Sequence, residues 1–284
     1  MTKLADKTMA MYPDADGVAA PGASRVRGPI LPRLEIGRLK RHLPDARMIR
    51  IEINGCLCGA PLAIPDAVSE FATGWAFAHR FFESPDQLGR VSATSSHVSL
   101  MVQGGVDLDR ARYEAIGWIP RQDLEAAGAT GQSDRLARAV SVMPEMDAIA
   151  SCQGAFRRFD DDGARVGYIH AGIATADEVK CVARDLHVHA AVHKVLGWII
   201  AGPVDCSSAL LAVRGVVDEH IVEAASRAGI PIVATDAVPT TSAIAAAAES
   251  CTTIIGLALS HRRGLFADGG HLGDDVIPFV DAYT

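Results

Sequence analysis

Three short apolar runs between Ser208 and Arg263 set what this chain can fold into. SSALLAVRG, IPIVATD and TTIIGLALS are rich in Val, Ile and Leu, and turn residues bound each of them. Nearly continuous apolar character over so short a length marks strands buried on both faces. Two segments of helical character lie between them. In VVDEHIVEAASRAG, Ile221, Val222, Ala225 and Ala228 recur at helical spacing, and Gly229 followed by Pro231 supplies the stop. TTSAIAAAAES follows Pro239 and opens on hydroxyls able to cap free N–H groups. Strand, helix, strand, helix, strand implies two right-handed crossovers and a parallel sheet. Ligands of such sheets sit beyond the carboxyl ends of the strands. Those ends here are Arg214-Gly215, Thr235-Asp236 and Ser260-His261-Arg262-Arg263. Three arginines, a histidine and helix N-termini are expected to converge there, a setting for an anionic, phosphate-bearing ligand.

The rest of the chain arranges itself around that block. Residues 1–45 are punctuated by Pro13, Gly17, Pro21, Gly22, Gly28, Pro29 and Pro32 and read as an irregular arm. Residues 46–130 read as a smaller N-terminal subdomain. It holds the strand MIRIEING, which ends at Asn54-Gly55, and a helix capped by Asp66 that runs through Phe82 with Phe71, Trp75, Ala78 and Phe82 as its apolar stripe. A second strand, HVSLMVQ, leads through Gly104-Gly105 to the helical DLDRARYEAIGW, and the loop AAGATGQSD follows. Residues 131–263 form the expected C-terminal α/β domain. Its pattern is helical from Asp134 to Phe159 with a break near Pro144, then a strand pair, ARVGYIHAGIA and VKCVAR, joined around Asp177. A helix from His187 to Ala201 ends at Gly202-Pro203, ahead of the parallel block. Residues 264–284, with Gly264, Gly269, Gly270 and Gly273, read as a loop-like tail.

Composition narrows the function classes. With 49% hydrophobic and 21% charged residues, this is the composition of an ordinary soluble globular protein. A net charge of −7 argues against nonspecific binding to nucleic acid or to anionic membranes. No apolar run has the length of a membrane span, and no signal-peptide pattern opens the sequence, so the cytoplasm is the expected compartment. The six cysteines (Cys56, Cys58, Cys152, Cys181, Cys206 and Cys251) are dispersed and read as reduced thiols.

Several side chains are candidates for chemistry, each with a plainer reading. His189 and His193 share a helix face at a spacing that can hold zinc, with His187 pointing elsewhere, but no HExxH or paired CxxC supplies further ligands. A polar helix face lining a cleft is the alternative. Cys56 and Cys58 place two thiols on one strand face, where they would carry sulfur, bind metal or simply pack. His170 ends an apolar strand, either as a core histidine or as a cleft residue. Lys194 and Asp185 flank the histidine helix and would orient a phosphate or stand as solvated surface charges. No GxGxxG, Walker loop or GxSxG is present. Spacing alone therefore yields an anion-binding α/β domain with a cleft, and no reaction.

The segment AASRAGIPIVATDAVPTTSAIAAAAESCTTIIGLA resembles the C-terminal signature of the FdhD/NarQ family of formate dehydrogenase accessory proteins, R-A-G-I-P, A-P-T-S-x-A-V and L-I-G-F. Arg227-Ala228-Gly229-Ile230-Pro231, Pro239-Thr240, Ala243 and Ile255-Gly256 match it. RDLHVHAAVHKVLG resembles the family's E-D-V-G-R-H-N-A-x-D-K-x-x-G through Asp185, His189, Ala191, Lys194 and Gly197. His170 stands at the histidine of G-G-x-H-A-A, and Glu70 and Gly74 fit E-L-A-x-G. The resemblance spans roughly residues 47–263.

That resemblance implies a cytidine-deaminase-like α/β/α sandwich with a smaller N-terminal subdomain, commonly dimeric. It implies a protein that matures formate dehydrogenase and binds the molybdenum bis(molybdopterin guanine dinucleotide) cofactor as cargo. The family's cofactor-binding segment maps to Leu257, Ala258, Leu259, Ser260, His261 and Arg262, with Arg214, His170, His189 and Lys194 as further expected cofactor-binding residues. Implied partners are the catalytic subunit of formate dehydrogenase and a cysteine desulfurase, with neither nucleic acid nor membrane among them. Some members relay sulfur through a C-x-x-C loop, but AAGATGQSD stands at that place without a cysteine. The thiolate is the sulfur nucleophile, so no hydroxyl or amide replaces it. Other departures are His187-Val188-His189-Ala190 for G-R-H-N, Arg214-Gly215-Val216 for S-G-R, and His220 for the glutamate that follows. The expectation is a divergent member that delivers or protects the cofactor, as chaperones of some NAD-linked formate dehydrogenases do. The alternatives are a sulfurtransferase using Cys56 and Cys58, and a zinc hydrolase or deaminase using His170, His189 and His193.

Overall fold

The expected parallel block is the centre of the computed structural model, which describes residues 46–104, 142–161, 167–202, 204–260 and 262–273. All of them fall within one compact unit, Pro44–Thr284. Strands β9 (Leu210–Val213), β10 (Ile232–Thr235) and β11 (Thr253–Gly256) pair in parallel, and every residue in them is buried. Helix α4 (Glu219–Arg227) links the first two, and α5 (Thr241–Ser250) links the last two. Each starts on a side-chain cap: Asp218 accepts from the Ile221 N–H and Thr240 from the Ala243 N–H.

Two antiparallel strands, β7 (Ile169–Ala174) and β8 (Val179–Asp185), extend the sheet beyond β9, and β12 (Gly264–Ala267) closes its other side. The order is β12-β11-β10-β9-β7-β8. Strand β12 corrects the expectation of a loop-like tail. Its four residues are too few for an alternation to show, and glycines crowd around them. It is held by Phe266, whose ring covers the α-carbon of Gly256, where a β-carbon would sit 2.3 Å from it.

Helix α2 (Glu145–Asp161) covers one sheet face, packing Phe156 and Phe159 against Leu210, Ala212, Ile232 and Ala234. Helices α3 (Val188–Ala201), α4 and α5 cover the other, against Ala171, Ile173, Leu211, Val213, Val233 and Ile254. This is the expected α/β/α layering. Helix α2 begins directly after Pro144. The expected helical stretch before it, the DLDRARYEAIGW segment and the AAGATGQSD loop lie largely or wholly outside the described residues.

Helix α1 (Val68–Ala78) lies on α3 and carries a second sheet on its far side, ordered β3-β2-β6-β5. Its strands are β2 (Arg50–Ile53), β3 (Cys56–Gly59), β5 (Leu88–Ala93) and β6 (His97–Val102), while the short β1 (Arg47–Met48) and β4 (Leu62–Ala63) pair separately. Strand β5 is not among the expected strands, because its LGRVSA sequence is mostly exposed and shows no clean alternation of apolar and polar residues. Helices α1 and α3 cross backbone to backbone: a β-carbon on Gly74 would lie 1.8 Å from the His193 carbonyl oxygen, and one on Gly197 1.8 Å from that of Glu70.

Helix α1 departs from expectation at both ends. Its N-cap is Ala67, at φ +49° and with no side-chain cap, because the Asp66 carboxylate turns instead to Lys194. The helix stops at Ala78 rather than Phe82. Arg227 fixes that stop: its guanidinium donates to the carbonyls of Phe77 (2.9 Å) and Phe82 (3.1 Å), pairs with Glu83 at 2.9 Å and lies 4.3 Å over the Phe77 ring. A partner so distant in sequence leaves no trace in local periodicity.

Candidate functional site

Strand direction brings most of the expected site residues to one edge of the sheet. Strands β8, β9, β10 and β11 end there, and β7 and β12 start there, so His170, Arg214, Asp236 and the turn after β11 share a rim. That turn is held firmly. Leu257, at φ +51°, donates its N–H to Ala237 O at 3.0 Å, and Ala258 donates to Thr235 O at 2.9 Å. Ser260 N–H bonds Leu257 O at 2.7 Å, and the Ser260 hydroxyl accepts from Arg262 N–H at 3.0 Å. Ala258 is buried in the core, whereas Leu259 and Arg262 are exposed. His261 lies outside the described residues.

Arg214 is less available than its position suggested. Its guanidinium is 2.9 Å from Asp160 and 3.5 Å from Asp236, and it stands over the rings of Phe156 and Phe159. Its backbone N–H bonds His170 O at 2.8 Å. His170 is buried and stacks on Phe159 with ring centroids 5.4 Å apart, as a residue beneath α2. With Arg214 balanced by two carboxylates, Arg262 and Arg263 carry the uncompensated positive charge of the described rim.

The histidines gather elsewhere, where the end of α1 meets α3 and the start of α4. His189 donates from Nε2 to Asp218 at 2.8 Å, and its ring lies 6.4 Å from that of His193. His193 is 5.7 Å from His79, whose Nδ1 donates to Trp75 O at 2.8 Å. Burial lowers the His79 pKa to about 4, with the neighbouring imidazoles of His220 and His189 adding to it. Burial likewise holds His193 well below the ordinary range. Burial works to raise Asp218, but the hydrogen bond and charge of His189 outweigh it and its carboxyl stays below the usual value. His79 lies on another element more than a hundred residues upstream, so spacing gave no sign of it.

The zinc reading fails on geometry. His170 faces α2, whereas His189 and His193 sit on α3 across the sheet, so no ion can join the three. Among the described residues no group of three or more His, Cys, Asp or Glu is placed to hold a metal.

Lys194 and Asp185 correct another expectation. They form a buried ion pair at 2.8 Å, not a surface charge and not a free phosphate ligand. The Lys194 ammonium also donates to Asp66, to Ile64 O at 3.2 Å and to Arg184 O at 2.9 Å. The pair lies at the β8 side of the sheet, four strand spacings or about 19 Å from β11. Lys194, but not Asp185, lines a cavity of about 360 Å³ that includes no residue of the rim turn.

All six cysteines are free thiols. Burial pushes Cys152 up to about 12, and burial together with the Glu70 charge pushes Cys181 up to about 11. Cys58 is buried and its Sγ donates to Cys56 O at 3.3 Å, while Cys56 is half-buried. Cys206 is buried and Cys251 exposed.

These features define a class: a three-layer α/β protein with a rigid, arginine-bearing turn at the carboxyl rim and a small mixed sheet carried on an added helix. A protein from Desulfotalea psychrophila, described as a formate dehydrogenase accessory protein, has the same fold in its crystal structure, with a TM-score of 0.64 at 18% identity over 81% of this chain and 90% of that one. The sequence matches the family model for the FdhD/NarQ family over residues 45–272, and the chain belongs to that family. A relative from Methanothermobacter thermautotrophicus named sulfur carrier protein FdhD is 28% identical over 80% of this chain and 92% of its own length. Proteins of the same name from Anaeromyxobacter sp. and Xanthomonas campestris pv. campestris are each 24% identical, over 79% and 75% of this chain and 86% and 79% of their own lengths.

Proposed function

We propose that this chain is a maturation protein for formate dehydrogenase that binds the bis(molybdopterin guanine dinucleotide) cofactor and delivers or protects it without relaying sulfur. The observation that carries this reading is the cysteine inventory: a chain matching the FdhD/NarQ model from residue 45 to 272 has no cysteine between Cys58 and Cys152. Sulfur relay needs a thiolate in reach of donor and acceptor. Cys152 and Cys181 stay protonated at neutral pH, and Cys58 and Cys206 are buried.

In this reading Leu257 to Arg262, including His261, supply the surface for the nucleotide end of the cofactor, and Arg262 and Arg263 meet its phosphates. Arg214 and His170 support the turn from beneath, His189 braces the start of α4 through Asp218, and Lys194 acts through the fold. The client is the catalytic subunit of formate dehydrogenase, and the working form is a cytoplasmic homodimer. The rival is sulfur transfer through Cys56 and Cys58, which lie on one face of β3. Incubation with a cysteine desulfurase and labelled cysteine, followed by mass mapping, separates the two. The expected result is no persulfide on any of the six cysteines, with the cofactor still retained by the purified protein. Labelled sulfur on Cys56 or Cys58 would overturn the proposal.

A further inference from the structure

The cavity beside Lys194 has a form of its own. Cys181, Val182, Ala183 and Arg184 all line it, together with Asp66, Ala67, Glu70, Lys194 and Trp198. Successive side chains of a strand point to opposite faces, so four consecutive lining residues mean that the cavity runs along the strand's edge. β8 is the last strand of its sheet, so that edge has no strand beside it among the described residues. The direction of its free groups follows from β7. A β-carbon on Gly172 would lie 2.8 Å from Cys181 O, so that carbonyl points inward to β7. Alternation then turns the N–H and C=O of Val182 outward, and the Arg184 carbonyl, which accepts from Lys194, also points outward.

The charges around the cavity nearly cancel. Lys194 is matched by Asp185, and Arg184 lies 3.7 Å from Asp66. Among the described residues Glu70 remains as the surplus negative charge, close enough to Cys181 to help hold that thiol protonated. Trp198 offers an indole on the same wall. A carboxylate without a balancing cation, an aromatic face and an outward-facing strand edge together select one kind of ligand. It is an extended backbone with a cationic side chain. A volume near the lower end of the usual range of about 300–1,000 Å³ suits one inserted side chain better than a whole small molecule.

We infer that the edge of β8 is a docking site for an extended segment of a partner protein, added as a strand alongside β8, with one lysine or arginine side chain held by Glu70 and Trp198. The inference stands independently of cofactor binding at the rim. It is tested with the full chain and a fluorescein-labelled peptide, Thr-Val-Lys-Val-Thr, by fluorescence anisotropy, against the same peptide carrying norleucine or glutamate in place of lysine. The lysine peptide should bind about tenfold more tightly than the norleucine peptide, and the glutamate peptide should not bind. Glu70→Gln should lower affinity for the lysine peptide to the norleucine level and leave the norleucine peptide unchanged. Methylation of the peptide backbone nitrogen opposite Val182 should abolish binding. Equal affinity for lysine and norleucine peptides, or no effect of Glu70→Gln in a variant that melts normally, would overturn the inference. So would the absence of any anisotropy change at millimolar peptide. If native mass spectrometry then gave a dimer whose formation covers β8, a second copy of the chain would be the occupant instead.

Discussion

Lys194 shows how a residue's environment overrides its chemistry. An ammonium on a long stem normally reaches for water, yet here it is almost fully enclosed, with Asp185, Asp66 and two carbonyls around it. A buried charge persists only when its partners offset the loss of hydration, and Lys194 has them because α1, β8 and α3 meet around its tip. His79 and His193 take the opposite course and remain neutral. The sign of the resulting pH dependence is fixed. His79 has a lowered folded-state pKa of about 4, so the unfolded chain takes up its proton first, near the ordinary 6.5. Its contribution to stability is complete above that value and is lost as pH falls from about 6.5 towards 4, by up to about 3 kcal/mol. Urea unfolding at pH 7.5 and 4.5 should show a smaller loss of stability on acidification for His79→Gln than for the native chain. An equal loss in both would mean that His79 is not the buried neutral group described.

At the scale of elements, the fold turns on how closely α1 and α3 approach. Gly74 and Gly197 place each helix against a carbonyl of the other, so a methyl at either site has nowhere to go. Gly74→Ala and Gly197→Ala should each lower stability by about 3 kcal/mol or more in thermal melts. The double variant should lose less than the two singles together, since the first forces the helices apart for both. Full additivity would contradict a shared crossing. Elements with local signals were legible in the sequence: the continuous apolar runs of β9 to β11, the hydroxyl cap before α5, the stop at Gly229. What could not be read were features decided by distant partners. The end of α1 depends on Arg227, its uncapped start on the competition of Lys194 for Asp66, and β12 on a ring lying over Gly256.

At the scale of the whole molecule, one sheet separates two regions that sequence patterns had merged. The rim turn after β11 and the Arg214 loop do share an edge, because strand direction alone decides which ends meet. Lys194 and the histidines lie with the helices on one face, and His170 lies beneath the helix on the other. Periodicity assigns residues to elements but not charges to partners, which is why the neutralisation of Arg214 by Asp160 and Asp236 was out of its reach. The cofactor-binding part of the proposal therefore rests on the rim turn itself, held through Ala237 and Thr235 and bearing Arg262 at its surface. Calorimetric titration of the full chain with guanosine diphosphate tests this most directly. Binding should be measurable in the native chain and weakened at least about tenfold in the Arg262→Ala, Arg263→Ala double variant, with its melting temperature unchanged. Equal affinity in the two proteins would contradict a nucleotide site at the rim.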